Sequence, residues 1–186
     1  MAEIRTIAVI GAGAIGRGIA HASALAGYRT ILEDILPSSL RTAAAEMRES
    51  LANATVRETI SSPDAEAALA RLEFAGTVEE AAREADLVIE SVPDEMESKL
   101  EIITLLDKVC RPATILASNT FALSVTEIAS VTYRAKQILG MRFQQPVDAM
   151  RQLEIVRAQE TDEETLAACT EVGRRMGKQV VVIEER

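Results

Sequence analysis

The chain is poor in the side chains on which much of protein chemistry depends. Among its 186 residues are one histidine, His21, two cysteines, Cys110 and Cys169, and no tryptophan, and aromatic residues amount to 3%. One imidazole gives a His-based metal site too few ligands, and the cysteines lack the paired spacing of zinc or redox motifs, so no metal is expected. The cysteines read as reduced packing residues. With a formal charge of -9 and almost no stacking rings, the chain lacks the cationic, aromatic surface of a nucleic-acid groove, so nucleic acid is not an expected partner. No apolar run approaches the roughly 20 residues that span a bilayer, and the N-terminus has no basic start with a cleavage site. The expectation is a cytoplasmic protein without a membrane partner.

What is present is the composition of a packed domain: 48% hydrophobic and 26% charged residues, in a length that suits one domain rather than two. Residues 1–186 are therefore read as one α/β unit. Short β-rich runs alternate with longer helical patterns. Strands are predicted at Ile4–Ile10, Thr30–Asp34, Arg71–Ala75, Leu87–Ser91, Thr114–Ala117, Gln137–Met141, Leu153–Arg157 and Val180–Glu184. Several, such as Thr6-Ile7-Ala8-Val9-Ile10, are apolar without alternation, as expected of parallel strands covered on both faces. Between the second and third strands lies an Ala-rich, charged stretch from Pro37 to about Arg71. Ser61-Ser62-Pro63-Asp64 offers a stop and a fresh N-cap in its middle, which predicts a helical hairpin projecting from the sheet. The last predicted strand runs to Glu184, and no further domain is expected after it.

The first strand enters Gly11-Ala12-Gly13-Ala14-Ile15-Gly16, a helical pattern follows from Ile15 to Ala26, and acids end the next strand. A G-x-G-x-x-G run is weak evidence alone; between a strand and a helix, with an acid about 20 residues on, it reads as a dinucleotide fingerprint. Gly11 permits the tight turn, Gly13 lets the backbone meet the pyrophosphate, and Gly16 lets helix and strand approach. The helix N-terminus supplies unpaired N–H groups for the phosphates. Gly11, Ala12, Gly13, Ala14, Ile15, Gly16 and Asp34 are thus the candidate cofactor residues. Glu33 and Asp34 are expected to face opposite sides, with Asp34 accepting from the adenosine ribose hydroxyls. Ile35-Leu36-Pro37-Ser38-Ser39 offers no cation for a 2′-phosphate, so NAD is expected over NADP. The competing view is a Gly-rich turn that only joins strand to helix.

Four stretches carry a family resemblance: Ile7–Ala20, Asp86–Val92 with Lys99 after it, Leu116–Thr120, and Gly140–Val147. In their order and spacing, from about Thr6 to Val182, they resemble the NAD-binding domain of the 3-hydroxyacyl-CoA dehydrogenases. The resemblance implies an extended Rossmann fold, mainly parallel, with helices on both faces. It implies that the hairpin contacts coenzyme A through Ser50 and Arg57, where the family has a serine and a lysine. It also makes Asp94 and Lys99 NAD contacts near the nicotinamide half and Asn119 a polar residue of the same cleft. For each of these residues a solvated charge or an ordinary loop polar group is the alternative.

At the reacting centre the sequence departs from the family. Arg142 stands at the catalytic histidine, Phe121 at the serine that orients the substrate carbonyl, and Gln145 at a nearby asparagine; the histidine's partner is kept as Glu154. The candidates there are Glu154, Arg142, Asn119 and Ser118. Arginine is not deprotonated in proteins and cannot accept the proton. Arg142 either pairs with Glu154 as a structural replacement or binds a substrate carboxylate. The family's helical C-terminal domain and its joining Pro-Gly-Phe segment are not found, so a homo-oligomer or a separate subunit supplying that domain is expected. Three functions stay open: an oxidoreductase of the 3-hydroxyacyl-CoA (3-hydroxybutyryl-CoA) type acting on an acyl-CoA in fatty acid metabolism, an NAD-binding protein with little catalysis, and a dehydrogenase of a related 3-hydroxy acid. The last needs a catalytic lysine, and none follows Ser118 before Lys136.

Overall fold

A computed structural model describes residues 3–185. Eight strands form a single sheet: β1 (Thr6–Ile10), β2 (Arg29–Glu33), β3 (Leu72–Ala75), β4 (Leu87–Glu90), β5 (Ile115–Ser118), β6 (Ile138–Phe143), β7 (Gln152–Arg157) and β8 (Gln179–Glu184). Their spatial order is β3-β2-β1-β4-β5-β6-β7-β8. All neighbours run parallel except β6 and β7. All eight strands lie where the sequence places them, to within about two residues at either end. The difference that matters is β6, which continues through Phe143 and so carries Arg142 inside the antiparallel ladder opposite Glu154.

Every residue of β1 and β4 is buried, because helices cover both sheet faces; β8, at the edge, leaves Val181 and Val182 exposed. On one face α1 (Ala14–Leu25) and α7 (Glu163–Arg175) pack over residues such as Ile7, Leu32 and Ile155. On the other, α4 (Val78–Ala82), α5 (Met96–Val109) and α6 (Val125–Ala129) cover Ala8, Val88 and Leu116.

The predicted hairpin is α2 (Pro37–Val56) and α3 (Ser62–Ala70), with Ser61 accepting from the Asp64 amide as N-cap. It does not simply project from the sheet. Leu51, Ala65 and Ala68 pack on Ala24 of α1, and the three alanines leave room for Leu51 where the helices meet. Among the described residues no helix is long and apolar enough to cross a membrane, and no His/Cys/Asp/Glu group is arranged to hold a metal. Cys110 and Cys169 are buried free thiols, and burial raises Cys169 to about 12.

Chain order reverses direction between β1 and β4, where one crossover leads outward to β2 and the other to β5. Loops diverge there and leave a crevice beyond the carboxyl ends of the strands. A cavity of about 950 Å³ opens at this point.

Candidate functional site

The cleft wall is built from the ends of five strands. Gly11 follows β1, Glu33 and Asp34 stand at the end of β2, Gly76 and Thr77 follow β3, Ser91 to Asp94 follow β4, and Asn119 follows β5. Ile102 and Leu105 of α5 add an apolar side.

Gly11 has φ +100°, and a Cβ there would lie 2.9 Å from the Ser91 carbonyl oxygen, so the turn requires glycine twice over. A Cβ on Gly16 would lie 1.9 Å from the Gly11 carbonyl oxygen. Gly16 is therefore demanded first by the turn itself; the approach of helix to strand, through Val9 at 3.6 Å, is secondary. Gly13 is different, since a Cβ there would meet nothing within 4 Å. It borders open space at the N-terminus of α1, where no side chain caps the helix and no acid lies in the first turn. Unsatisfied N–H groups thus face the cleft beside a residue without a side chain, an arrangement that fits a pyrophosphate.

Asp34 holds the loop from the far side. One carboxylate oxygen accepts from the Ala12 amide and the other from the Leu36 amide, both at 2.9 Å. Of the fingerprint, Gly11, Gly13, Ala14, Ile15 and Asp34 line the cleft. Ala12 is 2% exposed beneath the loop and Gly16 is buried in α1, so both shape the site from behind. Glu33 and Asp34 both contribute to the cleft wall. Burial, the neighbouring Asp34 charge and Glu79 raise the Glu33 carboxyl to about 7, against the lowering effect of the Gly11 amide.

At the opposite end, Asn119, Asp94, Phe121 and Gln145 line the cleft. The Asn119 side-chain oxygen accepts from the Phe143 amide at 2.9 Å, which ties β5 to β6. Asp94 accepts from the Phe121 amide at 3.3 Å. Burial pushes its carboxyl up, but hydrogen bonds from Thr120 and the Phe121 and Ala122 amides, with the charge of Lys99, outweigh it and hold the group below the usual range.

Two expectations fail here. Lys99 does not face the cleft: its side chain is wholly buried, with Nζ donating to Glu90 at 2.8 Å and to the Asn119 carbonyl at 3.1 Å. Ser118 is no more available, being fully buried with Oγ donating to Glu90 at 2.6 Å. Both residues sit under the floor rather than in it. Lys99 shares a helical stripe with Ile103 and Leu106, the other buried residues of α5, and that register carries it inward. Their common partner, Glu90, escaped the sequence reading. The available signal was an acid closing the otherwise apolar Leu87-Val88-Ile89-Glu90, which demands a cation if buried. Burial raises the Glu90 carboxyl, while Lys99, Ser118 and the Val92 amide draw it back down.

Arg142 and Glu154 are cross-strand partners. Arg142 Nη1 lies 3.6 Å from Glu154 Oε2, and Nε donates to the Thr120 carbonyl at 2.8 Å. The pair is about one-fifth exposed and does not line the cleft. Ser50 and Arg57 meet in a concavity of about 440 Å³ on the hairpin, with Glu46, Glu49 and Asp148 also in its lining. A third hollow of about 210 Å³ shares Ala14 and Gln145 with the cleft and Glu46, Ser50 and Asp148 with the hairpin concavity. The three hollows adjoin one another between the glycine loop and Arg57, with these residues common to their walls.

The sequence pattern described as "3-hydroxyacyl-CoA dehydrogenase, NAD binding domain" matches residues 6–186. A probable 3-hydroxybutyryl-CoA dehydrogenase of Bacillus subtilis is 36% identical over 183 residues, which are 98% of this chain and 63% of that protein. A peroxisomal bifunctional enzyme of Danio rerio is 36% identical over 181 residues, which are 97% of this chain but 24% of that enzyme. The crystal structure of (S)-3-hydroxybutyryl-CoA dehydrogenase from Ralstonia eutropha superposes with a TM-score of 0.95 at 31% identity, covering 99% of this chain and 65% of the other. The chain thus spans less than two thirds of the length of each of these relatives.

Proposed function

This chain belongs to the family of 3-hydroxyacyl-CoA dehydrogenase NAD-binding domains, and from that premise we propose that it serves an oxidoreductase in which hydride passes between C3 of an acyl-CoA and NAD, while being by itself a very poor catalyst. The observation that carries this reading is the adjoining of the hollows. A cleft suited to NAD shares Gln145 and Ala14 with a hollow that in turn shares Ser50 with the concavity of Arg57, a row of neighbouring hollows that supports a site for a long thioester along it. NAD, when bound, supplies the hydride acceptor or donor; the rest falls to the chain. Gly13 and the α1 N-terminus hold the pyrophosphate, Asp34 the ribose hydroxyls, and Arg57, the only cation in its concavity, the CoA end.

The missing function is proton acceptance. As hydride leaves C3 the hydroxyl proton must pass to a protein group, and the family position for that group holds Arg142, a guanidinium already engaged with Thr120 and Glu154. Losing a general base costs about 10²- to 10⁴-fold in rate. Phe121, 46% exposed on the cleft, provides no hydroxyl to bind the carbonyl oxygen. We also take the protein to be cytoplasmic, and to act with a second copy or a separate subunit that closes the cleft and excludes water.

The Arg142–Glu154 pair favours a second reading, an NAD-binding protein or subunit with no turnover of its own. One measurement separates the two: the purified chain is mixed with NADH and acetoacetyl-CoA while NADH absorbance is followed and NADH affinity is titrated in parallel. Binding with slow, substrate-dependent NADH loss supports the oxidoreductase, and binding without turnover supports the second reading. Several turnovers per second would overturn the argument from Arg142.

A further inference from the structure

The adenosine end of the cleft holds one carboxyl more than a ribose requires. Asp34 already closes the glycine loop through the Ala12 and Leu36 amides. Glu33 precedes it, as the last residue of β2. Side chains alternate along a strand: Leu32 packs into the core on the α1 side of the sheet and Ile31 into the core on the α4 and α5 side, so Glu33 falls on the side of Ile31. There it is 5% exposed, in a stretch of wall that includes Ile10, Val78, Ile102 and Leu105. Among the described residues no side chain donates to its carboxyl and no cation pairs with it. The Gly11 amide alone favours its charged form, against burial and the charges of Asp34 and Glu79, which together raise it to about 7.

A carboxyl held in apolar surroundings without a partner costs stability, and a ligand that brings the partner recovers that cost. Its place along the cleft says what the ligand presents. With the pyrophosphate at Gly13 and the ribose at Asp34, the wall formed by Glu33, Val78 and the two α5 side chains is left for the base. Apolar side chains suit the faces of a purine, and the polar group falls to its edge. Adenine carries an amino donor beside a ring-nitrogen acceptor on that edge, the pattern that glutamine meets with two hydrogen bonds. A protonated carboxyl offers the same donor and acceptor.

We propose that Glu33 reads the adenine of NAD, its carboxyl accepting from the 6-amino group and donating to the neighbouring ring nitrogen. The proposal rests on the NAD reading of the cleft, but it requires neither an acyl-CoA nor turnover. Asp34 then recognises the sugar and Glu33 the base.

The test compares NAD with etheno-NAD, in which a two-carbon bridge joins the 6-amino nitrogen to the adjacent ring nitrogen, removing the N–H donor. Calorimetric titrations are made at about pH 6, where the parent carboxyl and a Glu33→Gln amide present the same donor and acceptor. Both should bind NAD at least about tenfold more tightly than etheno-NAD. Glu33→Met keeps the length of the side chain and no polar atom at its end. It should lose about tenfold toward NAD while its affinity for etheno-NAD stays within about twofold of the parent's. Equal losses for the two dinucleotides in Glu33→Met, or equal NAD affinities in the Gln and Met variants, would overturn the proposal. A parent chain that binds neither dinucleotide overturns it together with the NAD reading. If Glu33→Met does not fold, Glu33→Ala takes its place, with the same expected and overturning results.

Discussion

The two ends of the cleft follow opposite rules. At the adenosine and pyrophosphate end, from Thr6 to Asp34, each residue type that a dinucleotide demands stands where the chain needs it: glycine at φ +100°, an uncapped helix start, and a carboxylate closing the loop through the Ala12 amide. At the other end, Arg142, Phe121 and Gln145 stand where the resemblance leads one to expect a histidine, a serine and an asparagine, and Glu154 faces Arg142 across the ladder. Binding and chemistry are therefore separable in this fold. A βαβ unit makes a phosphate site from its own backbone, whereas proton transfer depends on side chains from several strand ends, any of which can change without disturbing the sheet.

The comparison breaks most sharply at Gly13. Gly13→Val should take NAD binding below detection by calorimetry while leaving the melting temperature nearly unchanged, because its backbone, at φ -63° and ψ 179°, suits a branched residue and a Cβ meets no protein atom. Retained affinity would mean that the loop is only a turn. Gly16→Ala should do the reverse and unsettle the fold, since its Cβ would lie 1.9 Å from a backbone oxygen.

At the other end, rebuilding the polar set should restore what the first variant leaves untouched. The triple change Arg142→His, Phe121→Ser and Gln145→Asn is expected to raise NADH turnover with acetoacetyl-CoA by about 10²-fold, the low end of what a general base supplies. Arg142→His alone should recover little. A triple variant no faster than the parent would show that closure of the cleft, rather than the missing base, limits the chemistry.

A smaller effect is expected at Asp34. Hydrogen bonds to a charged group contribute about 1.5–3 kcal/mol, so Asp34→Ala should weaken NAD by about tenfold or more. The parent chain should bind NADP more weakly than NAD, because the Asp34 carboxylate walls that end. Equal affinities for NAD and NADP in a titration would refute the assignment.

The smallest effect is the pH response of Glu33. Its folded-state value of about 7 lies above that of an unfolded glutamate, so the folded chain holds the extra proton between about pH 4.5 and 7. The stability it contributes is full below that window and lost as pH rises through 7. Melting temperatures of the parent should fall by a few degrees from pH 5 to pH 8, and Glu33→Gln should flatten that dependence; an unchanged slope in the variant would assign the response to other groups.

How far the sequence could be read differs along the chain for physical reasons. Strands β1, β2, β4 and β5 were visible because parallel strands buried on both faces are largely continuous apolar runs, and the fingerprint was visible because its contacts are made by backbone within about 30 residues. Lys99 is placed at the cofactor by the resemblance because one stretch of sequence does not show what a side chain will meet; the partners Glu90 and Asn119, brought in from β4 and the end of β5, draw it inward. Ser118 was misread for the same reason, its hydroxyl being taken by Glu90.

By itself, then, the sequence determined the βαβ unit, the order of elements and the dinucleotide fingerprint, all of which rest on local pattern or on residue identity. Tertiary structure alone decided that Glu33 shares the cleft with Asp34, that Arg142 meets Glu154 across an antiparallel ladder, that Ser50 and Arg57 line a hollow of their own on the hairpin, and that Lys99 is buried against Glu90. Each of these joins residues far apart in the chain, and their meeting is fixed by strand order and helix register, which no local pattern encodes.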